Sequence, residues 1–119
     1  MNKTDDNLQV LLDMQNLTPG WNGYDGKKIS TEAILLARRI ILILGDYQPE
    51  IYPTGRGTVQ MQYELPDRSY LEFEVFPDRI EILEVPKRIY SKAKELTIPI
   101  KQYTQIVSIV EDFYKRNSA

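Results

Sequence analysis

The sequence predicts an α+β fold in which helices cover one face of an antiparallel sheet. Three observations carry it: a 3.6-residue apolar period before residue 45 and after residue 101, a two-residue period from Thr58 to Val85, and no βαβ alternation between them. The expected order is α-α-β-β-β-α, with a three-stranded antiparallel meander. At 119 residues and 42% hydrophobic content, one domain spanning 1–119 is the expectation.

The first helix is expected over 6–16. Leu8, Leu11, Leu12 and Leu17, with Val10 and Met14, follow helical spacing after the polar run "TDDN". "TPG" stops it, because Pro19 disfavours helical geometry at Thr18 and Gly20 permits backbone angles that other residues avoid. A second helix is expected over 31–44. Ser30 is its N-cap and Glu32 suits its first turn; Ala33, Ile34, Ala37, Ile40, Ile41 and Leu44 form its core stripe, and Gly45 closes it. Leu35, Leu36, Leu42 and Ile43 widen the apolar surface over most of the circumference. That width implies packing against more than one element, or a contact between copies in a homo-oligomer.

"DYQPEIYPTGRGT" holds two Pro and two Gly and is expected to be an extended connector with turns. Strand periodicity then covers 58–85. Val59, Met61, Tyr63 and Leu65 alternate with polar residues, Leu71, Phe73 and Val75 do the same, and Ile80 and Ile82 alternate less cleanly. "LPDRS" and "FPDR" supply the reversals. Opposed residues share a face, so aligning the apolar sets specifies the register. A three-residue loop at 66–68 sets Tyr63 against Leu71, Met61 against Phe73 and Val59 against Val75; a two-residue turn at Pro77 and Asp78 sets Val75 against Ile80 and Phe73 against Ile82. The same register places Glu74 between Gln60 and Glu81 on the outer face. Facing like charges cost a few tenths of a kcal/mol or more, so a cationic neighbour or partner is expected there. After Pro86 the pattern is weak until Tyr103, Ile106, Val107, Val110, Phe113 and Tyr114, which mark a helix over 101–116 with Lys115 and Arg116 suited to its end.

The chain has no His and no Cys. The commonest general base, thiolate chemistry and the commonest transition-metal ligands are thereby removed, and no phosphate-loop, nucleophile-elbow or EF-hand motif occurs. The expectation is a non-enzyme with no metal and no cofactor. Glu72, Glu74 and Glu81 on one strand face remain a carboxylate set that could act as paired acids or hold a hard cation; the plainer reading is a solvated polar sheet face. "PTGRGT" reads as a turn, with anion binding by Arg56 as the sharper alternative.

The net charge of −2 gives no general attraction to nucleic acid. Residues 1–85 balance at −6 and residues 86–119 at +4, so "PKRIYSKAKEL" is a basic run, either a solvated connector, an intramolecular partner for the acidic part, or a patch for nucleic acid or an acidic partner. The N-terminal run lacks the apolar core of a secretory signal, and the most apolar stretch, 33–44, is too short to span a bilayer. A cytoplasmic protein without membrane contact is expected.

"LTPGWNGYDGKKIS", residues 17–30, raises the sharpest alternatives. Asn22-Gly23 and Asp25-Gly26 are turn dipeptides between two helices. Trp21 reads as a buried structural anchor, with Tyr24 and Asp25 at the loop tip as candidate partner- or ligand-binding residues; a displayed Trp21 beside Tyr24 could instead stack on a sugar, a base or a protein side chain. Gly20-Trp21-Asn22-Gly23-Tyr24, Ile29-Ser30, Ala33 and Ala37, Pro49, Pro53-Thr54, Gly57 with Val59-Gln60-Met61, and Leu71-Glu72-Phe73-Glu74-Val75 together resemble a group of small uncharacterised bacterial and phage-borne proteins with a GW(D/N)GY loop and a P…PT…G.V strand motif. The resemblance covers residues 17–75. Lys27 and Lys28 depart from it where a small residue and a Pro are more typical, as does Tyr63 where the strand often ends in Trp. It implies a bacterial or phage setting and no particular activity. The leading functional expectation is a small protein-binding regulator, with a small-ligand or carbohydrate-binding module on the Trp21/Tyr24 loop as the alternative.

Overall fold

A computed structural model describes residues 2–117; Met1, Ser118 and Ala119, the ends of the single-domain reading, lie outside the described residues. The chain runs α1 (Lys3–Met14), α2 (Thr31–Leu44), β1 (Glu50–Pro53), β2 (Val59–Glu64), β3 (Tyr70–Val75), β4 (Arg79–Val85), β5 (Lys94–Pro99) and α3 (Gln105–Asn117). Short 3-10 turns lie at Pro86–Arg88, Tyr90–Lys92 and Ile100–Gln102.

The fold is α+β, and the sheet corrects the expected meander: it has five antiparallel strands in the order β1-β2-β3-β4-β5, not three. Both additional strands are edges. β1 is a four-residue piece of the connector in which Ile51 alone is buried, and β5 buries only Ile98. A strand that covers so little apolar surface has no period to read. The central register agrees residue by residue with the apolar alignment. Met61 faces Phe73, Val75 faces Ile80 and Glu74 faces Glu81, with Leu65 N donating to Ser69 O across the first loop and Phe76 N to Arg79 O across the second.

The helices depart from the expected spans at their ends. α1 begins three residues earlier than expected because Asn2, rather than the "TDDN" run, caps it, its side chain accepting from Asp5 N. α3 begins at Gln105, because Ile100–Gln102 is wound as a 3-10 turn. α2 is capped as its sequence implies: Ser30 Oγ accepts from Ala33 N at 3.2 Å and Gly45 ends the helix at φ +59°.

All three helices bury their apolar stripes against one sheet face. Leu11 and Met14 of α1, Ala33, Ile34, Ala37, Ile40 and Ile41 of α2, and Ile106, Val110 and Phe113 of α3 meet Val59, Met61, Leu71, Phe73, Val75 and Ile80 in one core. The wide apolar surface of α2 is only partly used: Leu36 is buried, whereas Leu35, Leu42 and Ile43 remain exposed. Tyr63 sits at the end of the core, edge-on to Phe73 and Tyr114, with its hydroxyl donating to Tyr47 O at 2.6 Å. No helix among the described residues is long and apolar enough to cross a membrane.

Candidate functional site

Among the described residues the opposite sheet face carries no helix, and its residues follow from the strand register. One row across the sheet reads Tyr52, Gln60, Glu74, Glu81, Thr97; the next reads Glu50, Gln62, Glu72, Leu83, Glu95; a third holds Glu64, Tyr70 and Val85. Alternation inside each strand sends these side chains outward because their neighbours fill the core. Glu72, Glu74 and Glu81 therefore share one face, as their spacing requires.

The expected cation comes from within the chain. Arg56, at the turn before β2, grips Glu74 with both ends of its guanidinium, Nε to Oε2 at 2.7 Å and Nη2 to Oε1 at 2.8 Å, and Thr58 Oγ1 donates to Oε2 at 2.7 Å. Hydrogen bonding and charge from Glu74, with weaker contributions from Glu72 and Glu81, raise the Arg56 pKa above its ordinary value. Glu81 has its own arginine: Arg79 Nε donates to Oε2 at 2.8 Å while the guanidinium lies 3.9 Å over the Phe76 ring. Two facing carboxylates are thus each offset by a fork-shaped donor, which suits planar carboxylate recognition better than a lysine would. "PTGRGT" is a turn, and the anion its arginine holds is a side chain of the same molecule.

The basic run contributes one further pair. Arg88 Nη2 donates to Glu64 Oε2 and its guanidinium stacks 4.1 Å over Tyr70, while Lys87, Lys92 and Lys94 are exposed. The Tyr70 hydroxyl reaches Glu72 Oε1 at 2.7 Å; burial first, and the Glu72 carboxylate second, push its pKa above the usual tyrosine range. Glu50 pairs with Lys3 at 3.1 Å. Among the described residues, the ion pairs of this face use Glu50, Glu64, Glu74 and Glu81, and Glu72 and Glu95 are in none. These two glutamates flank Leu83 in the middle row, and a shallow depression is lined by Glu72, Glu74, Glu81, Leu83, Glu95 and Thr97.

No family model, no curated protein and no solved structure matches the chain. Any functional reading therefore stands on the geometry of this face and of the loop beside it.

That loop is built from its own side chains. Trp21 is half-buried against the core, and its Nε1 donates to Lys27 O at 2.9 Å. Asn22 Oδ1 accepts from Tyr24 N and Gly26 N, both at 3.0 Å, and Gly20 N closes the base on Gly26 O at 2.7 Å. Lys27 N donates to Gly55 O and Ser30 N to Gly57 O, so the loop is stitched to the turn that carries Arg56. The GWNGY and PTGRG segments, far apart in the chain, become one layer beside the sheet. Tyr24 is 84% exposed and Asp25 is exposed; neither shares a hydrogen bond or ion pair with the glutamates of the face. Among the described residues, no three of Asp, Glu, His or Cys converge closely enough to hold a metal ion.

Spacing puts Thr58, Tyr70 and Leu83 on the outward side of their strands without giving them a role, and gives Arg56 and Glu95 no place on the face. Leu83 left a trace, since it breaks the alternation of its strand. Glu95 left none, because β5 itself has no readable period.

Proposed function

We propose that the chain is a small non-enzymatic protein-binding module whose open sheet face docks a basic, partly apolar surface on a partner protein. The observation that carries this reading is the middle row of that face. Leu83 lies between Glu72 and Glu95, two carboxylates without an ion-pair partner among the described residues, on a face that no helix covers. A lysine or arginine on each side of an apolar contact would complement that row. Its charge makes association salt-sensitive, and burial of Leu83 supplies the part that salt does not screen.

The neighbouring row supports the same reading by being closed to competitors. Glu74 and Glu81 are already held by Arg56 and Arg79, so the polar groups left to recognise a partner are specific ones. The resemblance to small bacterial and phage-borne proteins suggests the setting alone; the regulatory role, a compact acidic protein acting on a larger one, rests on the open acidic face. In the small-ligand alternative, Tyr24 and Asp25 would do the work, because the Trp21 indole N–H and the Asn22 carbonyl oxygen are engaged inside the loop.

Affinity capture from the native host, followed by mass spectrometry, tests the proposal when run with Glu72→Lys/Glu95→Lys and Tyr24→Ala variants in parallel. A protein captured by the native chain and by Tyr24→Ala, and lost on charge reversal, is the expected result. Retention by the charge-reversed face with loss at Tyr24→Ala would move the site to the loop, and co-purification of a glycan or metabolite without protein would reject the proposal.

A further inference from the structure

The two edges of the sheet are treated differently. β1 is four residues long, ends in Pro53 and has Glu50 tied to Lys3 of α1. Such shortness is an ordinary way of keeping an edge from pairing, and a proline closes the far end of β5 as well. β5 runs for six residues in unbroken register with β4, from Arg79 opposite Pro99 to Glu84 opposite Lys94, with no bulge.

Which backbone groups of β5 are free follows from the β3–β4 turn. Phe76 N donates to Arg79 O at 2.9 Å, so these two residues form a hydrogen-bonded pair. Alternation along an antiparallel ladder then turns Glu81 and Leu83 toward β3, and Ile80, Ile82 and Glu84 toward β5. Their partners Ile98, Leu96 and Lys94 point their backbone groups inward. Glu95 and Thr97 consequently aim N–H and C=O away from the sheet, and Pro99 aims only a carbonyl.

The side chains at this edge are also unfinished. On the helix-bearing side Leu96 is 51% exposed, in a groove lined by Ile82, Ile109, Asp112 and Arg116. α3 is tied to β4 by Arg116 Nη2 donating to Glu84 Oε1 at 2.6 Å.

We propose that β5 pairs antiparallel with β5 of a second copy of this chain about a two-fold axis at Leu96, making one continuous sheet across the dimer. Three registers are available near the strand centre, and the residues select among them. Centring on Glu95 sets Glu95 against the partner's Glu95, which repels. Centring on Thr97 sets Glu95 against the partner's Pro99, which lacks an N–H. Centring on Leu96 pairs Glu95 with the partner's Thr97 twice, each pair exchanging both N–H···O=C bonds from groups that are outward-facing in the single chain.

The same register gives complementary side chains. On the outer face the Thr97 hydroxyl is a donor opposite the partner's Glu95 carboxylate. On the helix-bearing face Leu96 meets the partner's Leu96, and Lys94 lies opposite the partner's Ile98, so no like charges face each other. Lys94 and Pro99 bound the strand and confine pairing to the segment between them. The contact is isologous and closes on itself, so it yields dimers and not fibres. It borders the partner-binding face: Leu96 lies on the helix-bearing side of the sheet, whereas Glu95, set opposite the partner's Thr97, belongs to the outer row as well.

Sedimentation equilibrium over a dilution series reads the dimer as a doubling of mass that reverses on dilution. Thr97→Pro removes an outward N–H that serves no bond within the chain, and the variant is expected to sediment as a single chain with an unchanged circular dichroism spectrum. Leu96→Cys gives the register. The chain has no other cysteine, and facing residues that are not hydrogen-bonded to each other have Cα atoms about 4.5 Å apart, within disulfide range. Mild oxidation is expected to crosslink this variant and not Ser91→Cys. A native chain at single-chain mass throughout the series, a Thr97→Pro variant that still doubles, or a Leu96→Cys variant that does not crosslink overturns the proposal. If Thr97→Pro fails to fold, the crosslinking pair decides alone.

Discussion

At Gly57 the backbone has φ +81°, and an added Cβ would stand 2.7 Å from the carbonyl oxygen of Lys28. The neighbouring atom belongs to the backbone of the 17–30 loop, whose Ser30 N–H is bonded to Gly57 O, so it cannot rotate out of the way. Gly57→Ala is expected to cost about 1–3 kcal/mol, read as a lower urea midpoint. Tyr63 makes the complementary case for a single oxygen. Its hydroxyl donates to Tyr47 O from a buried position, and Tyr63→Phe is expected to cost roughly 1 kcal/mol in the same assay, since the ring contacts survive and the carbonyl loses its partner. Neither role is visible in the spacing of residues: a glycine in "PTGRGT" announces a turn, and only the fold shows which carbonyl lies against it.

Among the elements, those that bury much apolar area were legible and those that bury little were not. The β2–β3 and β3–β4 registers follow from matching Val59, Met61 and Tyr63 to Leu71, Phe73 and Val75, because a one-residue slip would move every one of those side chains into water. β5 places Ile98 alone in the core, so its sequence, "KELTIP", obeys no such constraint and gives no period. The helices divide the same way. Phe113 is wholly buried in α3, and Phe113→Ala is expected to cost about 3–5 kcal/mol. Leu12 of α1 and Leu42 of α2 belong to runs that read as core but lie half in solvent; truncating either to Ala is expected to change stability by about 0.5 kcal/mol or less. Thermal or urea unfolding of the three variants separates core positions from apolar surface.

The whole molecule should show an alkaline limit to its stability. Burial pushes the Tyr63, Tyr70 and Tyr114 hydroxyls above the ordinary tyrosine pKa, so the folded state prefers the neutral phenols more strongly than the unfolded chain does. A raised folded-state pKa contributes stability that is complete below the unfolded value, about 10, and is lost as pH rises above it. Urea midpoints measured from pH 8 to 11 are expected to fall above about pH 10, with a shallower fall for Tyr63→Phe. Glu32, which is exposed, and Asp67, which is half-buried, act in the opposite sense: hydrogen bonds lower their pKa values, so they stabilise above the usual carboxylate range and lose that effect as pH drops through their folded values.

Periodicity by itself determined the α+β class, the core stripe of each helix, the central hairpin registers and the shared face of Glu72, Glu74 and Glu81. Those features depend on separating apolar from polar groups along a strand or helix, which is local in the chain. Tertiary structure decided the two edge strands, the pairing of Arg56 with Glu74, the docking of the Trp21 loop on the 54–58 turn, and the placement of Leu83 between Glu72 and Glu95. Each joins residues that are distant in sequence and bury little or no apolar surface of their own. Contacts of that kind are set by where the packed core brings the chain, so no period in the sequence records them.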